Sequence, residues 1–268
     1  MEQQSELSTI SNELTAALPA LVFEGKIVVV DSEEQVEAAC RDIESYAIVG
    51  FDTETRPSFK AGVTYKVSLL QLSTPTSCYL FRLHKIPLLD PIRKILESHD
   101  ILKIGADVAG DIRSINQLFQ IDADGFYDLQ SYIWEWGVGE KSLRKMSALV
   151  LGYRISKAQR LSNWEASTLT KQQQIYAATD AWACTEIYNR LQQMAKLSPE
   201  QIAILREEQR QRAAEAAAKK AAKAAAKEER EASRTGEAGA KRNYRRRNHH
   251  RRRAKSSEAA KTTIEQKK

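Results

Sequence analysis

The chain has 268 residues, enough for one large domain or two small ones with a proper hydrophobic core. Its three cysteines, Cys40, Cys78 and Cys184, are widely spaced, odd in number and lack a Cys-x-x-Cys pair. This pattern argues against a disulfide framework or a thiolate zinc site and favours a reducing, intracellular setting. The sequence shows neither a basic, apolar leader nor an apolar run of about 18 residues, so we expect a soluble protein, cytoplasmic rather than nuclear.

Charge is distributed unevenly along the chain. Residues 201–268 hold 21 Lys and Arg against 9 Asp and Glu, a formal charge of +12, so the total of +6 leaves −6 for residues 1–200. Between 198 and 235 the sequence is rich in Ala, Lys and Glu but has no wide apolar stripe, which predicts an exposed helix. Residues 236–268 contain eight Lys and Arg between 241 and 253, which predicts a disordered basic tail. Such a tail is typical of proteins that bind nucleic acid, although a solubility tag or an import signal has the same composition.

In chain order, residues 1–21 form a lead-in where Leu7, Ile10 and Leu14 indicate a short amphipathic helix. Strands are predicted at KIVVV (26–30), AIVGFDTE (47–54), KVSLLQLST (66–74), CYLFRL (78–83) and ILKIGA (101–106). Helices are predicted from Ser32 to about Ser45, at 90–98, from Asp111 to Phe119, and through most of the chain from Ser142 to Lys196. Strands followed by helices are typical of a three-layer α/β domain with a mixed central sheet flanked by helices, which we assign to residues 22–197.

Two carboxylates follow a buried strand in the segment VGFDTET. Asp52 and Glu54 are two residues apart, and alternation along a strand directs such a pair to the same face of the sheet. Burial and mutual repulsion both disfavour ionised acids in that position. Ordinary exposed loop acids remain the alternative for this pair taken alone.

Further acids occur in two later segments. In QQQIYAATDAWACTEIY, Tyr176 and Asp180 are four residues apart and share one face of a helix. In IGADVAGDIRSINQLF, Asp111 is predicted to start a helix and to face the same edge of the sheet. Each residue alone also fits a structural role, since Asp111 could cap a helix, Tyr176 could border the core and Asp180 could be a surface acid. Asp107 competes with Asp111 for the functional position, but Asp111 lies six residues after Gly105 and better matches the helical phase.

Four converging acids would destabilise their site unless cations neutralised them. Oxygen ligands in that number suit Mg²⁺ or Mn²⁺ rather than zinc, and no Cys or His is well placed in the sequence to compete. Two such ions about 4 Å apart are a known device for in-line phosphoryl transfer. The sequence therefore predicts a site for two divalent cations, Mg²⁺ or Mn²⁺.

In order along the chain, these three motifs resemble those of the DEDDy 3′–5′ exonucleases: Asp-x-Glu after a strand, Gly-x₅-Asp before a helix, and Tyr-x₃-Asp on a later helix. The resemblance covers about residues 22–195, and the segments RPSFKAG, VSLLQLST and KAQRLSNW are similar to the Werner-type branch. It implies a ribonuclease H-like fold and hydrolysis of nucleic-acid 3′ ends to nucleoside 5′-monophosphates. It further implies that Asp52 bridges both metals, Glu54 and Asp180 complete the tighter site, Asp111 supports the second through water, and Tyr176 orients the attacking water.

Contacts with nucleic acid are less clearly indicated. Phe59 could stack on a terminal base, and Lys157 and Arg160 could hold phosphates, although local packing and a solvated surface are the alternatives. Trp164 is predicted to lie in the core, and Arg56 is left without a role. The Ala/Lys/Arg-rich residues after 197 have too few large apolar side chains to fold like the further helical domains of ribonuclease D, so we expect a stand-alone exonuclease. DNA is favoured over RNA as substrate, although no motif encodes contacts to the 2′-hydroxyl group. A catalytically silent adaptor that binds nucleic acid through the tail is the alternative function.

Overall fold

The computed structural model describes residues 7–222 apart from 61, 88, 209, 212, 213, 216 and 220. Six strands are present in this part: β1 Lys26–Val30, β2 Ile48–Thr55, β3 Val67–Ser73, β4 Ser77–Phe81, β5 Leu102–Gly105 and β6 Phe126–Asp128. Seven α-helices accompany them between residues 7 and 198: α1 Asn12–Ala17, α2 Glu33–Ile43, α3 Asp90–Glu97, α4 Val108–Asn116, α5 Leu129–Tyr132, α6 Leu143–Leu151 and α7 Lys171–Gln192. A 3₁₀ turn, Ile133–Trp136, follows α5.

The strands form one mixed sheet in the order β1-β4-β3-β2-β5-β6. Strand β3 pairs antiparallel with both β2 and β4, whereas the remaining pairs are parallel. The carboxyl ends of β2, β5 and β6 therefore lie at one edge of the sheet, where ligands bind in open α/β sheets. This arrangement confirms the predicted α/β class with a mixed, helix-flanked central sheet.

Helices cover both faces of the sheet. Helices α2, α3 and α4 bury Val36, Ile95 and Ile115 against one face. On the other face, α7 contacts strands β1 to β5 and packs through small residues such as Ala177 and Ala181. Helix α7 begins at a capping box, in which the Thr170 hydroxyl accepts from the Gln173 backbone N–H and the Gln173 side chain accepts from the Thr170 N–H.

Several predicted boundaries were wrong. Helix α4 begins at Val108 rather than Asp111, because Asp107 adopts a left-handed conformation (φ 68°) at the helix start. Gly110 lies within the helix, beside the carboxylate of Asp107. The predicted helical run after Ser142 is interrupted between α6 and α7, since Gly152 ends α6 with φ 76° and the residues up to 170 are not helical.

Other differences lie in short elements. Strand β6, helix α5 and the 3₁₀ turn were not predicted, because elements of three or four residues carry no periodic signal. The lead-in does contain a helix, α1, but it starts at the Ser11 cap, and residues 7–10 are not helical. Helix α7 ends at Gln192, four residues before the predicted end.

The chain divides into two compact units, Met1–Gln201 and Ile202–Lys268. In the second unit the described residues up to 222 are helical and mostly exposed. The rest of the segment predicted as an exposed helix (198–235), together with the predicted basic tail (236–268), lies outside the described residues. Within the described part, no helix is both long enough and apolar enough to cross a membrane.

Candidate active site

Three carboxylates meet between β2 and α7. One oxygen from each of Asp52, Glu54 and Asp180 lies within 4.8 Å of the other two. Asp52 and Glu54 share a face of β2 because they alternate with Thr53, and Asp180 is buried on the side of α7 that packs on the sheet. The structure therefore brings together three of the four acids singled out in the sequence.

Gly50 allows α7 to approach β2 this closely. A Cβ atom added to Gly50 would lie 2.0 Å from the carbonyl oxygen of Ala181 and 2.5 Å from the Ser73 hydroxyl. Ala181 directly follows Asp180, so the absence of a side chain at Gly50 allows Asp180 to lie close to strand β2. This close approach of helix and strand places the three carboxylates within one metal-sized space.

Asp111 approaches the cluster from the other side of β2. Its Oδ1 accepts a 2.5 Å hydrogen bond from the hydroxyl of Thr53, whose side chain alternates with those of Asp52 and Glu54. Asp111 is half-buried and not part of the three-acid group, whereas Asp107 is exposed and its backbone N–H donates to Asp128. The surroundings of Asp111 thus favour it over Asp107 as the functional residue, and Thr53 is a site contact that the sequence did not single out.

Burial and repulsion disfavour ionisation of these acids. Burial, followed by repulsion from Asp111, Asp180 and Glu54, raises the pKa of Asp52 well above its ordinary value. Burial is also the first cause of the raised pKa of Glu54, about 9, and of Asp111 and Asp180, about 7 each. Without a cation, the group therefore holds protons near neutral pH that isolated carboxyls would have released.

Tyr176 lies one turn before Asp180 on α7. Burial is the main cause that raises the pKa of Asp180, and the nearby Tyr176 hydroxyl partly offsets that rise. Burial and the neighbouring acids, Asp180 and Glu54 first, raise the pKa of the Tyr176 phenol above its ordinary value. The phenol therefore stays protonated and can act as a hydrogen-bond donor within the site.

The donor set fits hard divalent cations. All three clustered residues offer carboxylate oxygens, the ligands that Mg²⁺ and Mn²⁺ prefer. Oδ1 of Asp180 is buried and has no hydrogen-bond partner among the described residues, which leaves an unsatisfied acceptor on a residue of the cluster. A cation at this position would remove both the repulsion and the unsatisfied acceptor.

A cleft of about 480 Å³ begins at Arg56, two residues after Glu54 along the chain. It is bordered by the segment after β2, including Arg56 and Phe59, and by Leu161 and Asn163 from the segment before α7. The side chains of Phe59 and Leu161 are 83% and 63% exposed, so two apolar surfaces face solvent here. Arg56, which the sequence left without a role, contacts Glu165 at 3.2 Å and stacks over the Tyr65 ring.

The other predicted nucleic-acid contacts lie on the segment before α7. Arg160 is exposed, and its charge lowers the pKa of Glu54, so it lies near the acidic cluster. Lys157 is exposed three residues earlier. Trp164 is fully buried and packs 6.0 Å from the Tyr176 ring, which confirms its predicted place in the core.

Several known proteins are similar to this chain in sequence. Residues 27–196 match the sequence model of a family described as 3′–5′ exonuclease. The chain is 32% identical over 189 residues to the bifunctional 3′–5′ exonuclease/ATP-dependent helicase WRN of Mus musculus. It is 33% identical over 152 residues to exonuclease 3′–5′ domain-containing protein 2 of Drosophila melanogaster. These alignments cover 65% and 55% of this chain, but only 13% and 26% of the two relatives.

Solved structures show the same fold. The EXO domain of Aedes aegypti Nibbler matches with a TM-score of 0.56 at 25% identity, over 63% of this chain and 88% of that one. Ribonuclease D of Escherichia coli matches with the same TM-score at 20% identity, over 62% of this chain and 44% of that one. The second likeness concerns the fold alone.

Proposed function

The chain belongs to the 3′–5′ exonuclease family, and from this premise we propose that it hydrolyses nucleic acids from their 3′ ends, releasing nucleoside 5′-monophosphates. The observation that carries the proposal is the cluster of Asp52, Glu54 and Asp180, with Asp111 beside it and Tyr176 one helical turn from Asp180. A silent adaptor would need none of these acids, whose burial costs stability in the absence of a ligand. The intact cluster therefore favours the enzyme over the adaptor.

We propose that two divalent cations, Mg²⁺ or Mn²⁺, bind at this cluster. In this proposal Asp52, Glu54 and Asp180 would hold the cations, with Asp52 shared between them, and Asp111 beside the cluster would support the second through water. When bound, such cations activate water and neutralise charge that develops on phosphoryl oxygens.

Tyr176 is the residue proposed to orient the attacking water. Its phenol remains protonated and lies one helical turn from Asp180. A fixed hydroxyl group next to the scissile phosphate can hold water in line with the bond to be broken. Its contribution is expected mainly in the transition state, where the alignment of the water matters most.

The cleft beside the acids is proposed to receive the 3′ end of the substrate. Phe59 offers an exposed aromatic face for a base, and base stacking on aromatic rings is tolerant of sequence. Arg160 and Lys157 supply positive charge for phosphates at the edge of an acidic site. We take DNA as the preferred substrate over RNA, because the segments around the site resemble the Werner-type branch.

The test offers 3′-recessed DNA, single-stranded DNA and single-stranded RNA to the purified protein with Mg²⁺ or Mn²⁺. The proposal predicts release of nucleoside 5′-monophosphates, fastest from DNA. Binding of all three nucleic acids without any release would instead support the adaptor. Faster release from RNA would overturn the substrate preference and leave the exonuclease proposal intact.

A further inference from the structure

Gln71 is a buried amide with no partner. It lies on β3 directly opposite Asp52 of β2 and is fully buried. Within the part of the chain that the structure describes, neither Oε1 nor Nε2 of this side chain has a hydrogen-bond partner. Unpaired buried amides are rare in folded proteins and call for an explanation.

The surroundings of Gln71 are apolar. Leu69 precedes it on the same face of β3, Leu80 faces it from β4, and both belong to the cluster beneath α7 that includes Ala178. Burial of an unpaired amide in such a layer destabilises the fold, whereas an apolar side chain of equal length would pack without this cost. The packing of the sheet therefore gives no reason for an amide at this position.

The neighbouring carboxylate of Asp52 does give a reason for an amide at residue 71. Residues directly opposite each other on antiparallel strands have Cβ atoms about 4.5–5.5 Å apart and point to the same face. The Gln71 amide is therefore within reach of the Asp52 carboxylate on the neighbouring strand. An ionised carboxylate can accept several hydrogen bonds at once, so Asp52 can take one from Gln71 and still bind a cation.

We propose that Gln71 is a positioning residue for Asp52, with its Nε2 group donating a hydrogen bond to the ionised carboxylate when a divalent cation binds. The inference rests on the proposed function, because it requires that Asp52 act as a metal ligand. Groups that hydrogen-bond a metal ligand from behind fix its orientation, and their loss commonly costs 10- to 100-fold in metal affinity or activity. The Gln71 amide is thus unpaired in the metal-free protein and hydrogen-bonded to Asp52 when a cation is bound.

The test replaces Gln71 by methionine, which keeps the length of the side chain and removes only the amide. Leu69→Met is the matched control, because Leu69 lies on the same face of β3, opposite Glu54, and offers no hydrogen bond. Mn²⁺ binding is measured by calorimetry on the full chain without nucleic acid, metal-free stability by urea unfolding, and kcat and KM on single-stranded DNA.

For Gln71→Met we expect 10- to 100-fold weaker Mn²⁺ binding, a kcat lowered at least 10-fold, an unchanged KM, and metal-free stability equal to or above that of the wild type. Leu69→Met should match the wild type in Mn²⁺ affinity and kcat. A Gln71→Met variant that binds Mn²⁺ as tightly as the wild type would overturn the inference. Failure of Gln71→Met to fold would also overturn it, since the amide would then be required for the structure. A wild type that binds Mn²⁺ but cleaves no nucleic acid would refute the proposed function, while weaker Mn²⁺ binding by Gln71→Met would still support the role of Gln71.

Discussion

Replacing Asp180 by asparagine should stabilise the metal-free protein while abolishing its metal site. The side chain is 7% exposed, and burial is the main cause that raises its pKa from 3.8 to about 7. An acid whose pKa is raised by folding contributes stability below its unfolded pKa and loses it as pH rises through the folded value. Because each pKa unit corresponds to about 1.4 kcal/mol, full ionisation of Asp180 costs on the order of 4 kcal/mol. Asparagine cannot ionise, so it avoids this loss while keeping the shape of the side chain.

The assay is urea unfolding of wild type and Asp180→Asn in EDTA at pH 4.5 and pH 8.5. The variant should be more stable at pH 8.5, and most of that advantage should disappear at pH 4.5. Glu186→Gln is the matched control on the same helix, because burial alone raises the pKa of Glu186 and its advantage should be smaller. Equal or lower stability of Asp180→Asn at pH 8.5 would refute the reasoning that the carboxylate is strained without a cation.

Three further predictions concern packing, catalysis and substrate contact. Gly50→Ala should destabilise the fold by about 1–3 kcal/mol in urea unfolding and lower kcat about 100-fold. The reason is that the new Cβ atom would force Ala181, and with it Asp180, away from β2. Tyr176→Phe should lower kcat by about 10²- to 10³-fold in steady-state kinetics with little change in KM, and a change in KM alone would contradict its water-orienting role. Phe59→Ala should raise KM several-fold but change the free energy of unfolding by less than about 0.5 kcal/mol, because the ring is 83% exposed; an unchanged KM would remove it from the substrate path.

Local periodicity was sufficient to predict the parts of the site that lie on regular elements. Alternation along β2 predicted that Asp52 and Glu54 share a face, and the structure has them in one carboxylate group. Helical spacing predicted that Tyr176 and Asp180 share a face, and after burial the charge of Asp180 is the largest cause of the raised pKa of the Tyr176 phenol. In both cases the relevant geometry extends over no more than four residues, so the chain itself specifies it.

Contacts between distant segments could not be predicted in the same way. The Arg56–Glu165 ion pair joins residues 109 positions apart, and the Thr53–Asp111 hydrogen bond joins residues 58 apart. Such pairs depend on how helices and loops pack on the sheet, which no short pattern encodes. The start of α4 was misplaced for a related reason, since the backbone N–H of Asp107 is held by Asp128 on β6, an element too short to predict.

The most direct test of the central claim is the direction and chemistry of cleavage. A DNA strand labelled at its 5′ end is incubated with the protein and Mg²⁺ or Mn²⁺, and products are resolved by length while released mononucleotides are identified by chromatography. The account predicts progressive shortening from the 3′ end with release of nucleoside 5′-monophosphates, and none in EDTA or with Asp52→Ala. Cleavage that persists unchanged in EDTA or in Asp52→Ala, or that yields nucleoside 3′-monophosphates, would contradict it.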